Sequence, residues 1–233
     1  MTTTSPSGLL SRTRTLARGA FRGDRFADGL AVERDDPRRG EIERFIAQVY
    51  RVRHGAELTA FLPHLLAWRN AAGEVQAAVG MRCGGEGRLF VEQYLDAPVE
   101  SAIAAATGRP VDRDRLIEIG NFGAQSAGDT RELILHLTHA LHAAGFRWVV
   151  FTATRQLRNA FERMHLFPIA LAEARASRLD GADGNDWGRY YDTRPTLVCG
   201  EIALGHAWLR RHVRAPDITP ALTFAGVCTG ATP

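Results

Sequence analysis

Between Arg115 and Pro168 the hydrophobic pattern switches twice between strand and helix periodicity, and this stretch limits the fold more than any other. Leu116 to Phe122 is a strand-like apolar run, followed by a turn of mostly small residues from Gly123 to Gly128. An amphipathic helix comes next, with Leu133, Ile134, Leu137, Ala140, Leu141 and Ala144 as its buried stripe. Asp129 or Thr130 caps its start and Gly145 its end. Trp148 to Thr152 reads as a second strand, and a second helix closes the stretch. Such a β-α-β-α unit lays its two strands side by side and parallel, with a right-handed crossover. Its first turn opens at the amino end of a helix, where free backbone N–H groups can hold an anion.

The flanks fill out a larger sheet. Glu41 to Arg53 carries apolar residues at helical spacing. Leu65–Trp68 and Val75–Met81 flank the turn Asn70–Glu74 as a hairpin, and Leu89–Leu95 reads as a third strand. A helix runs from Pro98 to about Ala106 and stops at Gly108. After Pro168 come strand candidates at Ile169–Ala172 and Thr196–Leu204, and from Gly205 the pattern decays. This order predicts an α+β fold, a mixed central sheet flanked by helices in a single domain over 29–205. An arginine-rich tail (1–28) precedes it and a C-terminal extension (206–233) follows.

Composition narrows the chemistry. With 45% hydrophobic and 24% charged residues the chain is that of a globular protein. Every basic side chain is Arg, so Schiff-base and lysine-base mechanisms are excluded. The net charge of +3 is concentrated in residues 1–25, where five arginines face Asp24 alone, so no basic stripe points to nucleic acid. No apolar run of about twenty residues predicts a membrane span. Cys83, Cys199 and Cys228 lie far apart, with neither a disulfide framework nor metal-ligand spacing, and this suits the cytoplasm. No Gly-x-Ser-x-Gly or zinc spacing is present, and no metal is expected. His136, His139 and His142 read as a solvated helix face. His54, in a turn with Gly55, is a free candidate for acid–base work.

The sharpest single residue is Glu118, a carboxylate inside an apolar strand, which costs several kcal/mol unless it is paired or lines a cavity. Strand alternation puts it on the face of Gly120 and Phe122. Two readings stand: an active-site carboxylate, or a buried ion pair with an arginine such as Arg82 or Arg115. Glu92, Tyr94 and Asp96 fall on one face of the expected third strand, as a polar rim suited to an amine or as a solvated edge.

Several segments carry resemblances. The turn Gln125–Thr130 resembles the pyrophosphate turn of the Gcn5-related N-acetyltransferase (GNAT) superfamily, with Thr130 replacing its last small residue and Asp129 adding a carboxylate. Asn159–Phe167 resembles that superfamily's closing helix, with Phe161 where a leaving-thiolate tyrosine often stands. Glu118-Ile-Gly-Asn-Phe122 resembles the Glu-x-Ser-Arg-Phe strand of acyl-homoserine-lactone synthases. The runs 89–100, 118–123, 148–159 and 187–195 together resemble the thermostable hemolysin family, across roughly residues 30–205.

These resemblances imply an acyltransferase that moves an acyl group from an acyl-CoA or acyl-carrier-protein thioester to a small-molecule amine. They imply a phosphopantetheine thioester as co-substrate and no permanently bound cofactor. Glu118 would be the base, and backbone N–H groups around Phe122 and Gly123 the oxyanion donors. Gln125, Ser126, Gly128, Thr130, Arg131 and Asn159 would hold the pantetheine arm and its phosphates. Arg82, Glu92, Tyr94, Asp96 and Asn121 would contact the acceptor. The family label also leaves open direct membrane damage, and a lost-turnover binding protein is the third reading.

Overall fold

A computed structural model describes residues 25–181 and 184–213. The expected tail over 1–24 and the extension beyond 213 lie outside the described residues. Seven strands form one sheet in the order β1-β2-β3-β4-β5-β7-β6. They are β1 Asp28–Val32, β2 His64–Arg69, β3 Val75–Cys83, β4 Leu116–Ala124, β5 Trp148–Ala153, β6 Ile169–Glu173 and β7 Thr196–Glu201. Only the β4–β5 pair is parallel, as the β-α-β pattern demands; the other neighbours are antiparallel.

Side chains alternate across the sheet and create two buried faces. Leu66, Val79, Ile117, Ile119 and Val198 meet α3 (Ala127–Ala143), α4 (Arg155–Arg163) and α5 (Ile202–His212). On the other face, Leu65 and Ala78 meet α1 (Arg39–His54), while Leu116, Val150 and Leu197 meet α2 (Val99–Thr107).

Three expectations change. The run Leu89–Leu95 is not a strand: Phe90–Tyr94 forms a tight 3₁₀ turn. Glu92 dictates this by folding back to accept the Leu89 N–H (2.8 Å) and the Val99 N–H (3.1 Å). The apolar run after Thr196 leaves the strand at Glu201, which pairs with Arg109, and continues as α5 with Leu209 fully buried. The folded unit therefore extends past residue 205. At the other end Phe26 is buried against Trp68, so it starts before residue 29.

Arg113 holds the 3₁₀ turn in place. Its guanidinium donates to both Glu92 oxygens (2.8 and 3.0 Å), to Glu100, and to the carbonyls of Gly84 and Gly87. Burial pushes Glu92 upward, but hydrogen bonds from Arg113 and the Val99 and Leu89 N–H groups outweigh it and hold its pKa at about 2. Arg113→Ala removes the charge partner of this part-buried carboxylate, which keeps only its two backbone N–H bonds, and is expected to cost about 1–3 kcal/mol. A lowered urea midpoint with an unchanged slope would show it.

Candidate active site

The site is built where β4 and β5 part. Their pairing runs from Leu116↔Trp148 to Ile119↔Phe151 and stops there, although β4 continues to Ala124. On its other edge β4 carries a bulge. Gly80 pairs with Gly120 and Ala78 with Gly123, so Asn121 and Phe122 together face the single residue Val79. Asn121 takes φ 49°, a left-handed conformation that Asn tolerates. Its Oδ1 accepts the Leu62 N–H at 2.9 Å. A Cβ at residue 80 would lie 2.5 Å from that oxygen, which is why Gly80 stands opposite. The bulge breaks the alternation that put Phe122 on the face of Glu118.

Three cavities adjoin this part of β4, of about 340, 590 and 50 Å³. Phe122 lines all three.

The first cavity has Glu118 in its floor, 1% exposed. Its two oxygens accept the N–H groups of Val91 (2.8 Å) and Phe90 (3.0 Å), at the start of the 3₁₀ turn. Each oxygen keeps a second lone pair. Burial pushes the Glu118 pKa up to about 7, against the pull of those N–H groups and of Arg82. It is therefore a carboxyl that exchanges a proton near neutrality, the property a general base needs. Arg82 is its cross-strand partner and lines the same cavity, with Nη1 donating to the Arg88 carbonyl at 3.1 Å.

The walls of this cavity are aromatic. All four tyrosines of the chain line it, with Phe61, Phe90 and Trp187. Tyr94 and Tyr191 share a hydroxyl–hydroxyl hydrogen bond of 2.6 Å, and Tyr190 bonds Thr152 Oγ1 at 3.1 Å. Burial raises the pKa values of Tyr50, Tyr94 and Tyr190, so these phenols stay protonated and can donate. Of these walls only Tyr94 was singled out from the sequence. The concentration of aromatics in the 187–191 segment was the available signal.

The second cavity is apolar. It runs between α3, α5 and strands β5 and β7, past Ile134, Leu137, Leu141, Phe161 and Trp208. Its rim includes Phe167, Ile169 and Leu204, three of the four exposed large hydrophobics among the described residues, so it reaches the surface. Phe161 stacks on Phe151 in this cavity, away from Glu118. The third cavity is narrow and lies between the starts of α3 and α4, lined by Arg53, His54, Thr130, Thr154 and Tyr190. His54 packs against Tyr50 and Tyr190, and burial, then Arg53 and Arg189, lower its pKa.

Of the residues expected from sequence, the structure brings Glu118, Arg82, Tyr94, Asn121 and Phe122 to the first cavity. Gly123 lies buried beside Phe45 and Val49 of α1. Glu92 and Asp96 are not a rim: Glu92 is bound up with Arg113, and Asp96 points to solvent and pairs with Arg178. Of the expected phosphate set only Thr130 lines a cavity described here. Asp129 itself occupies the start of α3, accepting the Ser126 N–H at 3.0 Å and pairing with Arg25 at 3.4 Å. The Arg25 guanidinium lies over Gly128, where a Cβ would come within 2.6 Å of it. Gln125 and Asn159 are exposed, and Arg131 is half-buried with a pKa lowered by burial. The expected solvated histidine face holds only for His142, which is exposed. His136 is buried against Phe26 and Trp68, while His139 and His142 pack on His206 of α5. No group of three potential metal ligands occurs among the described residues, and no helix there is long and apolar enough to cross a membrane.

Solved structures share this sheet. LasI, an acyl-homoserine-lactone synthase, is 12% identical over 75% of this chain and 89% of its own, with a TM-score of 0.51. FeeM, an N-acyl amino acid synthase from uncultured soil microbes, is 11% identical over 79% and 99%, with a TM-score of 0.51. TofI, in a ternary complex with an inhibitor and MTA, is 14% identical over 78% and 96%, at 0.50. No curated protein matches the sequence. These likenesses establish the GNAT-like fold, related to that of the autoinducer synthases. A sequence profile adds what the fold alone leaves open: it matches residues 32–206, strands β2 to β7 included, and by that match the chain belongs to the thermostable hemolysin family.

Proposed function

We propose that this protein is an N-acyltransferase that moves an acyl group from an acyl-CoA or acyl-carrier-protein thioester to the amine of a small molecule. One observation carries the reading: Phe122 lines all three cavities, one of which also holds a buried carboxyl whose pKa is pushed up to about 7. The apolar cavity suits an acyl chain and the aromatic one an amine, while the narrow one, at about 50 Å³, has room for no more than the thiol end of a pantetheine arm. The thioester carbonyl then sits beside Phe122, the residue that the three cavities share. The amine nitrogen attacks that carbon and its proton passes to Glu118. The C–S bond breaks, the amide forms, and the thiolate leaves and is protonated. Tyr50 and Tyr190 line both the first and the third cavity, where their phenols can donate hydrogen bonds to the leaving sulfur.

The thioester is a substrate, so no resident cofactor is required, and a reaction fed by such thioesters belongs in the cytoplasm. The β4–β5 gap, the bulge at Asn121 and the synthase-like sheet all support the reading. Thioester consumption with a panel of acyl-CoA and acyl-carrier-protein donors and small amines tests it. Free thiol and amide in equal amounts are expected. Lysis of blood cells by purified protein without any acyl donor, with no thioester consumed, would replace it with direct membrane damage.

A further inference from the structure

We propose that the acceptor is an α-amino acid, its amino group presented to Glu118 and its carboxylate held by Arg82. This inference rests on the acyl-transfer reading and names the substrate class of the same cavity. Arg82 and Glu118 are register partners on β3 and β4. Paired residues of antiparallel strands stand only about 5 Å apart at Cα. Both side chains reach the cavity. The two attract each other through space, but their hydrogen bonds go elsewhere: Glu118 takes its own from the Phe90 and Val91 N–H groups, and Arg82 donates to the Arg88 carbonyl.

A guanidinium and a carboxyl side by side in one cavity match the two polar groups of an α-amino acid, whose carboxylate and amine are carried by the same carbon. The planar guanidinium fork suits a carboxylate, which it can hold through two parallel hydrogen bonds. With the carboxylate anchored there, the amine falls next to Glu118, the group that must take its proton. The side chain then points to the aromatic walls at Phe61, Trp187 and Tyr190, which favour an apolar or aromatic residue. Arg88 and Asp180, of opposite charge, also line the cavity.

The test compares L-phenylalanine with phenethylamine, the same molecule without its carboxylate, using decanoyl-CoA and decanoyl-carrier-protein as donors. The native protein should use phenylalanine about 10- to 100-fold better in kcat/KM. Arg82→Met should collapse that ratio towards one. Equal use of the two amines by the native protein overturns the proposal and leaves acyl transfer standing, and so does a ratio that survives Arg82→Met. Absence of thioester consumption with every amine and either donor overturns both.

Discussion

Glu118→Gln is expected to slow amide formation by about 10²–10⁴-fold, with the fold retained. The substitution removes the proton acceptor and keeps the size. Its carbonyl oxygen still accepts one of the two N–H groups of Phe90 and Val91, so the structural cost is on the order of 1–3 kcal/mol. Thiol release in a continuous assay, with circular dichroism as the control for folding, separates the two effects. The native pH profile gives an independent reading. A base works only when ionised, and burial holds this one at about 7. The rate should therefore fall about tenfold per pH unit below that value and level off above it. Glu118→Gln should lose that limb.

The same shift makes a stability prediction. Glu118 is raised from 4.5 to about 7, so its protonated form stabilises the fold fully below about pH 4.5. That contribution is lost as pH rises through 7, a change on the order of 3 kcal/mol. The Gln variant has no such loss, so its stability relative to the native protein should improve between pH 5 and pH 8. Urea denaturation at both pH values reads this directly. A difference that stays constant with pH would mean that Glu118 titrates near its ordinary value.

The second large effect is expected in the apolar cavity. Gly205 of α5 lines it, and a Cβ there would meet Leu166 and Thr138 at ordinary contact distances of 3.7 and 3.9 Å. Gly205→Leu should therefore be accommodated, and it gains about 1 kcal/mol from replacing a helical glycine. The new side chain occupies volume that an acyl chain would fill. At about 0.8 kcal/mol per methylene, displacing four methylenes lowers kcat/KM for long-chain donors by roughly 10²-fold. Acetyl and butyryl donors should be affected little. Acyl-chain panels on both proteins, read by thiol release, check this. A uniform loss over all chain lengths would place the acyl group elsewhere.

How much of this was legible in the sequence depended on how local each cause was. The β-α-β-α unit was readable because its periodicity arises within single elements, and Glu118 stood out because a carboxylate in an apolar strand needs an explanation. Leu89–Leu95 was misread because a short apolar-aromatic run fits a strand, whereas the Glu92–Arg113 pair, across 21 residues, folds the segment into a tight turn. The end of β7 was misplaced for a similar reason: Glu201 pairs with Arg109, 92 residues away. The turn at Gln125–Thr130 had the outline of an anion site, yet Asp129 supplies its own carboxylate there. The aromatic walls come from α1, the 3₁₀ turn and the 187–191 segment, which only the tertiary fold brings together.

The apolar cavity ends at Phe167, Ile169 and Leu204, all exposed. A pocket with a floor acts as a ruler: it rejects any chain that is too long. A passage open at its far end measures only a minimum and lets the tail of a longer chain protrude. Under the acyl-transfer reading, the protein then sets the head group of its product, and the thioesters on offer set the length of its tail.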